Sequence, residues 1–85
     1  MMRAYPLLKP GDNMSSQLLD FKVGEPTLVV AVNVEEKQRL RLESMGILPG
    51  VEISVVAKGV GPLIVAAGES RVMIEEDIAK DIIVV

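Results

Sequence analysis

Leu42-Glu43-Ser44-Met45-Gly46-Ile47-Leu48-Pro49-Gly50-Val51-Glu52-Ile53-Ser54-Val55 carries the change of period that decides the fold. Leu42 and Met45 are spaced as neighbours on one helical face. Gly46 follows where a helix commonly stops, because glycine enters the left-handed backbone region at little steric cost. Leu48-Pro49-Gly50-Val51 then sets proline and glycine at the central positions of a type II turn. From Val51 onward the period becomes two: Val51, Ile53, Val55 and Ala57 alternate with Glu52, Ser54, Val56 and Lys58, the pattern of a strand with one buried face.

Working upstream, Asn33 is placed to cap a short helix, with Glu36 completing a capping-box-like arrangement. Glu35 and Glu36 suit the positive end of its dipole, and Lys37, Arg39 and Arg41 lie further along. Residues 27–33 read as a strand rich in β-branched side chains. Leu28, Val30 and Val32 fall on one face and Val29 and Ala31 on the other, so both faces are expected to be covered. Val23-Gly24-Glu25-Pro26 makes the preceding turn, and Leu18, Leu19 and Phe21 form a short apolar cluster before it. Residues 1–17, interrupted by Pro6, Pro10 and Gly11, show no sustained period and read as a flexible or loosely docked leader to a domain at 18–85.

Downstream, Gly59, Gly61 and Pro62 mark a turn into an apolar segment at 63–67. Ala67-Gly68-Glu69-Ser70 offers a II′ hairpin with glycine at its first central position, leading into 71–74. Residues 75–80 suit a single helical turn anchored by Ile78 and Ala79, and 81–85 a last strand. The predicted fold class is mainly β. It is a small barrel of about five strands, with one short helix between the first and second strands and a short helical turn before the last.

Composition bounds what such a domain can do. The chain of 85 residues has room for one core and no second lobe. It contains no cysteine and no histidine, which removes the disulfide staple, the usual transition-metal ligands, the thiol nucleophile and the acid–base group that works near neutral pH. No enzyme activity and no cofactor are expected. Glu75, Glu76, Asp77 and Asp81 leave room only for weak divalent-cation association, since adjacent carboxylates on a short turn diverge. Nine basic residues against twelve acidic ones give a net charge of −3, the wrong sign for nucleic acid. Tyr5 and Phe21 are the only aromatics, too few for base stacking or for a proline-peptide groove. Arg3 is followed by only a brief apolar stretch before Lys9, Pro10 and Gly11, which is not a secretory layout, and no apolar run reaches bilayer-spanning length. The expectation is a cytoplasmic protein without direct membrane insertion. A hydrophobic content of 49% suggests sticky surface, and with it a possible homo-oligomer.

The segment Arg41-Leu42-Glu43-Ser44-Met45-Gly46-Ile47-Leu48-Pro49-Gly50 resembles the R-L-x-x-M/L-G-I/L-x-P-G signature of the FeoA family. Leu18-Leu19-Asp20-Phe21-Lys22-Val23-Gly24-Glu25 is similar to that family's opening L-x-x-L-x-x-G-E, and Ala79-Lys80-Asp81-Ile82-Ile83-Val84 to its closing A-x-x-I-x-V. Three features depart from the pattern: the leader before Leu18 is longer than expected for the family, Leu40 stands where a second arginine often precedes the signature, and Arg71-Val72-Met73-Ile74 replaces a more usual small residue and leucine. The resemblance implies an SH3-like barrel and an adaptor for FeoB, the membrane protein that moves ferrous iron. Its alternative is a module like the C-terminal SH3-like domain of DtxR-type metal-dependent repressors. A plain self-associating structural protein is a third reading.

Candidate partner-contact residues are Arg39, Leu40, Arg41 and Met45. The opposing reading of the two arginines is an ordinary solvated face mixed with Glu35, Glu36 and Glu43. For Met45, as for Leu42, it is core packing at helical spacing. Gly46, Pro49 and Gly50 are assigned a structural role, because a helix stop and a tight turn need them in any protein.

Overall fold

The computed structural model describes residues 15–85. Its strands are β1 (Ser16–Gln17), β2 (Pro26–Val32), β3 (Glu52–Ala57), β4 (Leu63–Ala67), β5 (Ser70–Ile74) and β6 (Ile82–Val84), and its helices are α1 (Glu36–Ser44) and α2 (Glu76–Ala79). A 3-10 turn at Leu18–Asp20 joins β1 to the rest. The six strands form one antiparallel sheet in the order β1-β6-β2-β3-β4-β5. This is the SH3-like, mainly β architecture expected, with one strand more than the sequence suggested. The extra strand, Ser16–Gln17, lies within the stretch read as leader; the remainder of that reading, residues 1–14, lies outside the described residues.

Register explains why the sheet wraps a single core. Across successive rungs a buried residue meets a buried residue: Thr27 with Ile53, Ile53 with Ala67, Val55 with Val65, Val65 with Val72, Leu63 with Ile74 and Val29 with Val84. For one face of each of β2 to β6 to share a cluster with Leu18, Leu42, Ile47 and Ala79, the sheet has to curl round them. Two irregularities help. The pairing shifts between Val29 and Ala31 and again between Val55 and Ala57, and each bulge adds local twist. The first also keeps the inward face inward, since Val32 rather than Ala31 meets the fully buried Ile82.

The core side is sealed by polar satisfaction as well as packing. Thr27, the one buried polar residue among those described, donates its hydroxyl to the Val85 carbonyl. The amide of Gly24 reaches the Val55 carbonyl at 2.8 Å and that of Val85 the Leu28 carbonyl at 3.0 Å.

Two local expectations are corrected. Helix α1 begins at Glu36 with Glu35 as its cap and no side-chain capping bond. Asn33 lies two residues before that cap, just past the end of β2, where its main-chain amide donates to the Asp81 carbonyl at 2.8 Å. The outer face of β2 is also uncovered among the described residues: Leu28 and Val30 are 44% and 45% exposed while Thr27 and Val29 are buried.

Candidate functional site

The end of α1 is built by the residues that the sequence marked as punctuation. Gly46 has φ +90°, its amide donates to the Glu43 carbonyl at 3.0 Å, and the amide of Ile47 donates to the Leu42 carbonyl at 2.9 Å. These paired bonds form a Schellman motif, and the apolar contact that goes with it joins the buried Leu42 and Ile47. Gly50, with φ +94°, then takes the left-handed position of the type II turn, closed by a 3.2 Å bond from the Val51 amide to the Leu48 carbonyl. That turn is fastened to β2, since the Gly50 amide donates to Val29 and the Val29 amide to Val51. The helix C-terminus is therefore held rigidly beside the sheet.

Beside it lies a groove of about 240 Å³. One wall is Gln38, Arg41, Leu42 and Met45 from the end of α1; the other is Met73 and Ile74 of β5 with Glu75 beyond it, and Pro62 and Ile78 complete the lining. Aliphatic and thioether groups share this lining with the Gln38 amide, one guanidinium and one carboxylate. Thioether side chains adapt their shape readily to an incoming group.

The four proposed contact residues separate into distinct environments. Arg39 is bound to Glu36 at 3.1 Å and to Glu43 at 2.7 Å. Arg41 forms no ion pair among the described residues; its only side-chain bond is a 3.5 Å contact to the Gln38 oxygen. Met45 caps the helix and lines the groove with Arg41. Leu40 is half exposed, because two residues along a helix rotate it to the side away from Leu42. The groove thus unites Arg41 and Met45 and leaves Arg39 and Leu40 outside it.

Sequence reasoning did not include Pro62, Met73, Glu75 or Ile78 in this surface. One signal was present: Met73 occupies an outward strand position, between the buried Val72 and Ile74, where a polar residue is usual. The four carboxylates considered for a cation, Glu75, Glu76, Asp77 and Asp81, lie at the start of α2 and just after it. No group of three or more metal-type ligands forms among the described residues. No described helix is long and apolar enough to cross a membrane.

The family model for the FeoA domain matches residues 16–85. The chain belongs to the FeoA family. Among solved structures, this FeoA chain is similar to an iron uptake regulatory protein (FeoA), with 30% identity and a TM-score of 0.77 over 84% of this chain and 96% of that one. A zinc-complexed FeoA from Stenotrophomonas maltophilia, described as a prokaryotic SH3 domain protein, shares 25% identity with a TM-score of 0.68 over 86% and 91% of the two chains. A manganese-dependent transcriptional repressor shares 27% identity and a TM-score of 0.74, over 85% of this FeoA chain but 41% of the repressor. A comparison with curated proteins finds no match.

Proposed function

We propose that this FeoA protein is a non-catalytic cytoplasmic adaptor that binds the cytosolic side of a FeoB-type ferrous-iron transporter and alters its assembly, nucleotide turnover or opening. Family membership supports the transport context, and the S. maltophilia relative is described as a candidate ferrous iron transport activating factor. The observation that carries the reading at residue level is the groove at the end of α1. A cation without an acidic partner among the described residues, Arg41, lines this groove together with the apolar Leu42, Met45, Met73, Ile74 and Ile78. Such a surface binds another polypeptide through a buried apolar anchor and a charged rim. Arg41 and Met45 make the direct contact, Leu40 extends it, and Arg39 braces the helix through its two ion pairs. Gly46, Pro49 and Gly50 hold the helix end in place.

The test is titration of the full chain with the transporter's cytosolic portion and with the intact transporter, with and without nucleotide. Binding that weakens on Arg41→Glu is expected; absence of binding to either under all conditions defeats the proposal. The likeness to the manganese-dependent repressor favours one other reading, a regulatory module acting on a separate DNA-reading chain. Binding to such a chain and not to the transporter selects it.

A further inference from the structure

The sheet order ends at β5, so one side of that strand has no neighbour among the described residues. Its hydrogen-bonding pattern follows from the hairpin before it. Gly68 has φ +64° and Glu69 does not share a positive φ, as in a II′ turn, so the flanking pair Ala67 and Ser70 exchange hydrogen bonds across it. Alternation then gives bonded pairs at Val65 with Val72 and Leu63 with Ile74. Arg71 and Met73 direct their N–H and C=O groups away from β4, toward the free edge. Their side chains are exposed as well. The groove borders this edge, for it is lined both by the outward Met73 and by the inward Ile74.

Resting on the adaptor reading above, the geometry points to β5 as the docking edge for an extended acidic–apolar segment of the partner protein, which adds to the sheet as a seventh strand and places one apolar side chain in the groove. Main-chain bonds to Arg71 and Met73 supply the pairing, and the side-chain alternation of the incoming strand supplies specificity. A residue opposite Ile74 faces the groove floor formed by Leu42, Met45 and Ile78. A residue opposite Arg71 lies beside a cation that forms no ion pair among the described residues. An acid at that position of the partner is therefore favoured, while Glu75 at the other end of the groove disfavours another. The same charge argues against a second copy of this chain as the occupant, since edge-to-edge pairing of two β5 strands gathers the Arg71 charges; charged side chains on edge strands commonly prevent such pairing.

The test uses the full chain and overlapping synthetic peptides covering the transporter's cytosolic segments, alongside the intact cytosolic portion, with amide hydrogen exchange as the readout. The expected result is that one peptide with an apolar residue three positions from an acid binds and slows exchange at Arg71 and Met73. Met73→Pro removes an outward N–H without touching the β4 ladder, a position where an edge strand tolerates proline, and abolishes binding. Arg71→Glu weakens it about tenfold. Should Met73→Pro not fold, protection in the unaltered chain still decides. If the cytosolic portion binds while Arg71 and Met73 stay unprotected, strand addition is overturned and the adaptor reading survives. If neither peptides nor intact portion bind, both fall. Protection at β5 that depends on the chain's own concentration, without peptide, assigns the edge to a second copy and overturns the proposal.

Discussion

Leu42 and Leu40 sit two residues apart on the same helix with the same side chain, yet one is 4% exposed and the other 50%. The buried side of α1, with Ile47 and Gly46, belongs to the folding of the barrel. On the exposed side stand Leu40 and Arg41, and Arg41 borders the groove that the half-buried Met45 also lines. The contrast teaches that the most recognisable stretch of the sequence holds two functions at once, and that substitutions on its two sides should separate stability from binding.

Leu42→Ala should have the largest effect on stability, about 2–5 kcal/mol, because it opens a cavity against Ile47; denaturant unfolding measures it. Gly46→Ala comes next at roughly 1–2 kcal/mol, the cost of a Cβ in the left-handed region. Space is not the obstacle there, since an added Cβ meets only the Ala67 Cβ at 3.9 Å. Arg39→Ala removes two partly exposed ion pairs and should cost no more than about 1 kcal/mol, an effect that shrinks in high salt. Leu40→Ala should stay within about 0.5 kcal/mol in the same unfolding assay. A large loss on Leu40→Ala would break the contrast.

What the sequence made legible was local. The stop at Gly46, the turn at Pro49 and Gly50 and the hairpin at Gly68 each depend on a backbone conformation that one residue type favours, so their positions could be read directly. Features set by pairing at a distance could not. Asn33 has good capping chemistry, but its main-chain bond to Asp81 carries the β2–β6 pairing past Val32, and the helix starts three residues further on. The strand Ser16–Gln17 pairs with Ile83 and Val84 through its backbone and carries no apolar pattern of its own. The bulge that sets Val32 opposite Ile82 exists only in relation to β6. The candidate site divides in the same way: Arg41 and Met45 were visible as part of a helix end, whereas Met73, Pro62 and Ile78 reach the groove only once the sheet has curled.

The central claim is that the partner meets the groove between α1 and β5, and not the exposed apolar outer face of β2. Amide chemical-shift mapping of the full chain during addition of the transporter's cytosolic portion addresses this directly. The account predicts shifts centred on Arg41, Met45 and Met73, with Leu28 and Val30 unmoved; shifts centred on Leu28 and Val30, with the groove silent, would contradict it.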